Sequence, residues 1–155
     1  MSRERENIRR RGFSYERALV KKLWKHGFAA IRGPASGAKA REIVQPDVVA
    51  MKNGVILVFE VKSVKKSYAK LYINKSQVER LKEFASRASS YAFIAIKIRE
   101  TKDWIFIPLD KLECTDKGNY KVDLTTTPYL NFNSIVRLAD KETIRLDAFL
   151  KKRSG

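Results

Sequence analysis

Between two apolar, β-rich runs, Val48–Met51 and Val55–Val61, the chain carries Lys52-Asn53-Gly54. Both central residues of a type I′ turn must take φ > 0, and Asn-Gly is the pair that does so with least strain, so these runs are predicted to form a two-residue hairpin. Such a turn leaves the register no freedom. Lys52 faces Val55, Met51 faces Ile56, Val49 faces Val58, and Asp47 is placed across from Glu60. Alternation then puts Val49, Met51, Ile56 and Val58 on one face with Asp47, Glu60 and Lys62, and Val48, Ala50, Leu57, Phe59 and Val61 on the other. A hairpin apolar on both faces is covered on both sides and lies centrally in its sheet.

Two carboxylates directly opposed across a strand pair have Cβ atoms roughly 4.5–5.5 Å apart, and such like charges destabilise the pair, the more so when partly buried. Taken singly the residues are ordinary: Glu60-x-Lys62 reads as a strand-surface ion pair, and Asp47 after Pro46 as a turn residue. Together, on an otherwise apolar hairpin, they mark a functional site. Lys62 supplies one compensating charge. A divalent cation shared by Asp47 and Glu60 would supply more, and Mg²⁺ is typically held by one or two carboxylates with water and phosphate oxygens. The backbone carbonyl of Val61 is a candidate third ligand. Glu16 sits at the edge of an apolar helical stripe; it is either a first-turn acid favoured by the helix dipole or a further member of the site, bridging to the metal through water or holding a second ion.

Composition narrows the partners. Among 155 residues, 33 Lys and Arg stand against 17 Asp and Glu, a net charge of +16. Ion-pair networks call for near balance of sign; this excess instead creates a field for polyanions, nucleic acid foremost. His26 and Cys114 are each the sole residue of their type, which leaves almost nothing for a zinc cluster, an internal disulfide or a Ser–His–Asp triad. No uncharged apolar run approaches the roughly 20 residues of a spanning helix, and the polar, Arg-rich start has no h-region. The expectation is a cytoplasmic domain with a basic arm over residues 1–11, containing Arg9, Arg10 and Arg11, and a single folded unit over 12–155. Those arginines, with Lys39 and Arg41, are candidate phosphate contacts.

Apolar spacing predicts a helix from Ser14 to His26, ended by Gly27, and a strand at Phe28–Ile31. Gly33 to Glu42 has loop chemistry. A short strand is expected at Leu71–Ile73. Ser76 and Glu79 read as a capping box opening a helix to about Ala88, with Val78, Leu81, Phe84, Ala85 and Ala88 along one stripe. Strands follow at Tyr91–Ile98, Trp104–Leu109 and Tyr120–Leu124, and a last helix after Asp140, with Lys151-Lys152-Arg153 as a frayed basic end. The fold class is α/β, a mixed central sheet flanked by helices.

These residues resemble the archaeal Holliday junction resolvases of the PD-(D/E)xK nuclease superfamily. The likeness rests on Gly12…Glu16-Arg17-Ala18-Leu19, Lys25-His26-Gly27-Phe28, Arg32…Ser36-Gly37, Pro46-Asp47, Glu60-Val61-Lys62, Arg80-Leu81-Lys82-Glu83-Phe84 and the strand from Ala92 to Lys97, covering about Gly12 to Ile107. The resemblance implies a restriction-endonuclease-like fold and Mg²⁺-dependent cleavage of four-way junction DNA, with Mn²⁺ able to substitute. It implies Glu16, Asp47, Glu60 and Lys62 as catalytic, with Asp47 and Glu60 as metal ligands. Arg17 and Arg32 would act at the DNA backbone and Ser36 near the scissile strand, and Phe84 would pack between subunits of a homodimer. The rival readings are another nuclease of the superfamily, of restriction or repair type, a non-catalytic DNA-binding protein with a vestigial site, and an RNA-binding protein stacking bases on Tyr68, Tyr72 and Trp104.

Overall fold

The computed structural model describes residues 2–34 and 43–140. The hairpin forms as its turn requires: β2 (Val48–Lys52) and β3 (Val55–Val64) pair antiparallel, Lys52 against Val55 and Val49 against Val58. Asn53 and Gly54 both take positive φ, 53° and 78°. β1 (Ala29–Arg32) flanks β2 on the outside. On the other side β3 pairs in parallel with β5 (Tyr91–Ile98), a pairing that needs a crossover. The helix α2 (Lys75–Ala88) lies on that connection. β6 (Trp104–Pro108) and the two-residue β9 (Leu130–Asn131) complete a six-stranded sheet in the order β1-β2-β3-β5-β6-β9.

The double-sided apolar character of the hairpin is used as expected. One face packs Leu19 and Leu23 of α1 (Ser2–Lys25) and Ile135 of α3 (Phe132–Asp140) onto Val48, Ala50, Leu57 and Phe59. There Phe59 stacks on Phe93 at 5.9 Å and meets Phe106 edge-on at 5.6 Å. The other face packs Val78, Leu81 and Ala85 of α2 onto Val58, Ile94 and Ile96. Trp104 belongs to the first of these cores and is 5% exposed, so it offers no stacking surface; Tyr68 and Tyr72 are exposed.

Four expectations are corrected. The helix expected to begin at Ser14 begins at Ser2, so that α1 runs unbroken through the basic stretch before Gly12. Arg and Glu are good helix formers and Glu6 pairs with Arg10 at 2.9 Å one turn on, enough to carry the helix through one glycine. The expected C-terminal stop holds: Gly27 has φ +87°, and the Phe28 N–H donates to Leu23 O at 3.1 Å, the Schellman pattern. Second, Ser76 does not cap α2. The N-cap is Asn74, whose side chain makes no capping bond; instead Asn119 Oδ1 accepts from the Lys75 N–H at 3.1 Å, a cap supplied by tertiary structure. Third, the strand at Leu71–Ile73 is no part of the main sheet. As β4 (Lys70–Ile73) it pairs with β8 (Tyr120–Asp123), itself paired with β7 (Glu113–Cys114), in a separate three-stranded sheet. Its Ile73 and Val122 close the α2-side core. Fourth, the described residues hold a helix, α3, over Phe132–Asp140, where none was expected; the helix expected after Asp140 lies outside the described residues. The basic end at Lys151–Arg153 lies outside the described residues, and no described helix is long and apolar enough to cross a membrane.

Candidate functional site

Hairpin geometry carries Glu60 and Lys62 to the far end of β3 on the α2 face, as alternation demands. Asp47 departs from strict register. Its N–H donates to Phe59 O at 3.0 Å, although Phe59 is already the partner of Val48. Two residues thus oppose one, the count of a β-bulge, a device that re-aims a side chain beside a site. Asp47 is therefore not the direct cross-strand partner of Glu60. The bend brings its carboxylate along β3, where Oδ2 accepts the Val61 N–H at 2.8 Å. From the other side Gly33 donates to Asp47 O at 2.8 Å. Gly33 has to be a glycine: a Cβ there would lie 2.1 Å from Pro46 O.

The charges nonetheless converge. Burial, then the charge of Asp47, pushes the Glu60 carboxyl up to about 8, with Lys62 opposing the rise. The same two causes push Glu16 up to about 7, partly offset by Arg32 and Arg17. Both acids are largely covered, their side chains 13% (Glu16) and 14% (Glu60) exposed. Lys62 Nζ stands 3.6 Å from Glu60 Oε1, and Arg32 Nε stands 3.2 Å from Glu16 Oε2. That Arg32 contact is not aligned for a hydrogen bond, and its buried Nε–H meets no acceptor among the described residues; the guanidinium lies over the Phe13 ring at 5.1 Å. Glu16, Asp47 and Glu60 line one cavity of about 180 Å³ between α1 and α2, together with Phe13, Gln77 and Arg80.

Two oxygen-rich carboxylates in mutual repulsion fit a hard divalent cation, which needs few protein ligands when water and phosphate complete its shell. Among the described residues no three His, Cys, Asp or Glu side chains gather closely enough to form a cage of their own. Glu16 thus stands in the electrostatic reach of Asp47 rather than in a three-carboxylate cluster.

The structure brings Glu16, Arg32, Asp47, Glu60 and Lys62 to one end of the sheet and leaves other candidates apart. Along α1, Arg9, Phe13 and Glu16 recur at helical spacing on one side, whereas Arg11 points away from them. Arg10 is paired with Glu6, and Arg17 is exposed next to Glu16. Phe84 is half-buried on α2, in a separate groove with Ile43, Val44, Arg87 and Ala88. Ser36, Lys39 and Arg41 lie outside the described residues. Sequence reasoning missed Gln77, whose amide touches both Glu60 and Lys62. Its only trace in the sequence was a polar residue in the first turn of the helix after the Glu60-x-Lys62 strand.

Comparison with known proteins gives a consistent result. The model of the archaeal Holliday junction resolvase (Hjc) family matches residues 7–144. The chain is 43% identical over 142 residues to proteins named crossover junction endodeoxyribonuclease Hjc from Sulfurisphaera tokodaii and from Sulfolobus acidocaldarius, covering 90% of this chain and 96% of each relative. Its fold superposes on the structure of Archaeoglobus fulgidus Hjc, a Holliday junction resolvase, with a TM-score of 0.71 at 34% identity, over 82% of this chain and 96% of that one. The mixed sheet between helices is accordingly the restriction-endonuclease-like architecture. On a family match spanning nearly the whole described fold, this chain belongs to the archaeal Holliday junction resolvase family.

Proposed function

We propose that the chain is a structure-selective endonuclease that resolves four-way DNA junctions in recombination and repair, hydrolysing phosphodiesters with Mg²⁺ and placing paired nicks as a homodimer. The observation that carries this reading is the repulsion of Asp47 and Glu60, which line one cavity, with Lys62 beside Glu60. A fold relieves such a repulsion by holding a proton or by taking up a positive group, and acids clustered in this way mark a functional site.

Asp47 and Glu60 would hold the cation, with the Val61 carbonyl as an additional oxygen. When bound, Mg²⁺ neutralises phosphate charge and acidifies water. The chain does the rest. The bulge at Asp47 and the Val61 N–H fix one carboxylate, and β3 fixes the other. Lys62 steadies charge developing on the phosphate or orients the attacking water, as preorganised cations do. Glu16 would bridge to the metal through water. Arg17 and Arg32 flank the cavity and would grip the DNA backbone, with Arg9, Arg10, Arg11, Lys39, Arg41 and Ser36 extending that contact. A surface that reads phosphates recognises the shape of a junction rather than its bases. Phe84 and its groove would meet a second subunit, which brings two sites to opposing strands.

Incubation of a labelled four-way junction and a linear duplex of the same sequence, with and without Mg²⁺, beside Asp47→Ala, tests this. Paired nicks on the junction alone, dependent on the metal and lost in the variant, are expected. Equal cutting of the duplex would point to a restriction- or repair-type nuclease, and binding without any product to a non-catalytic DNA-binding protein.

A further inference from the structure

The amide of Gln77 joins the two working groups of β3 from a different element. Its Oε1 accepts from Lys62 Nζ at 3.2 Å, and its Nε2 donates to Glu60 Oε1 at 3.4 Å. Lys62 Nζ lies farther, 3.6 Å, from that same Glu60 oxygen. One oxygen of Glu60 is therefore shared between an ammonium and an amide, while the ammonium has a second, nearer acceptor. On the reading above, Glu60 must present its carboxylate to a cation, and a cation there repels an ammonium a few ångströms away. An uncharged acceptor beside Lys62 resolves the conflict, because it can hold the ammonium when Glu60 no longer does. Only a group that both accepts and donates fits between an ammonium and a carboxylate, and an amide is such a group.

We infer that Gln77 is a positioning residue of the nuclease site, a neutral rest for the Lys62 ammonium that frees Glu60 for the metal and fixes the distance between the two. The inference rests on the nuclease reading and deepens it. Gln77 does not belong to the packing stripe of α2, which is Val78, Leu81 and Ala85, so its role separates from stability. The first turn that carries it is anchored: the Gln77 N–H donates to Asn74 O at 3.1 Å and the Lys75 N–H to Asn119. Groups that orient metal-site residues typically matter by about 10–100-fold when removed.

The test compares the wild-type chain with Gln77→Met, which keeps the volume and removes both hydrogen bonds. Four quantities are read: single-turnover nicking of a saturating four-way junction, the metal-free junction Kd, Mn²⁺ binding by calorimetry without DNA, and Tm. Gln77→Met is expected to lower nicking by about 10–100-fold and to weaken Mn²⁺ binding, with Kd and Tm as in wild type. Wild-type nicking and an unchanged Mn²⁺ isotherm in Gln77→Met would overturn the inference. A wild type that cuts nothing, but whose Mn²⁺ isotherm is still weakened by Gln77→Met, would defeat the nuclease reading and uphold the placement of Gln77.

Discussion

The Val61 N–H donates to Asp47 Oδ2 at 2.8 Å, so one acid of the site is held by the backbone of the strand that carries the other. At Val61 the strand is still paired with β5 but has passed the end of its ladder with β2, so an N–H on that side needs an acceptor, and a side chain supplies it. The consequence is a carboxyl group fixed in place. Asp47→Asn keeps an oxygen for the Val61 N–H and removes the charge that raises Glu60 and Glu16. Nicking is expected to vanish and junction binding to stay within about twofold. Tm at pH 8 should hold or rise by about 2–4 °C, the shift that 1 kcal/mol gives a domain of this size. Full nicking by this variant, or by Glu60→Ala or Lys62→Ala, would remove the roles assigned.

Acid and base should act on the metal-free protein in the direction opposite to that of most carboxylates. Burial and Asp47 raise Glu60 to about 8 and Glu16 to about 7 in the folded state. Unfolded, both ionise near the ordinary 4.5. Their contribution to stability is whole below that value and is lost as pH rises through the folded values. Without metal, Tm should therefore fall between pH 5 and 9, and Mg²⁺ should restore more of it at pH 9 than at pH 5. Glu60→Gln should flatten the slope. A Tm that climbs over this range would contradict the arrangement.

Gly33 is a spacer between β1 and the bulge. The added methyl of Gly33→Ala would lie 2.1 Å from Pro46 O, which neither backbone can absorb without moving Asp47. A loss of about 1–3 kcal/mol is expected, as for overpacked sites, with nicking lost more than junction affinity. Chemical denaturation and a nicking assay measure both.

The cap of α2 offers a separate check on the fold. Asn119→Ala removes the acceptor for the Lys75 N–H and should lower stability by about 1 kcal/mol. Ser76→Ala, at the position where sequence alone puts the cap, should cost less. The reverse order in urea midpoints would restore the capping box.

Phosphate contact by α1 should be visible in salt. Arg17→Ala and Arg9→Ala are each expected to weaken junction binding across sequences and to reduce the slope of log Kd against log salt by about 1. Unchanged slopes would take these arginines out of the interface.

The hairpin, the core faces and the neighbourhood of the acids were legible because short-range chemistry fixes them. Asn53-Gly54 admits one turn, the turn admits one register, and period-two alternation then sorts Val48, Ala50, Leu57 and Phe59 from Val58, Glu60 and Lys62. Local patterns failed where a partner distant in sequence decided. Asn119 took the cap from Ser76, and the pairing of β4 with β8 drew Leu71 out of the main sheet. The bulge at Asp47 depends on Gly33, whose N–H arrives from β1. Gln77 came to Glu60 and Lys62 only because the crossover from β3 to β5 lays the start of α2 over the strand end. The order of residues along the chain was sufficient to bring Asp47 and Glu60 to the same end of the hairpin. How their oxygens are aimed, and which neutral group stands between carboxylate and ammonium, was decided by packing, because side-chain direction depends on contacts that no local spacing encodes.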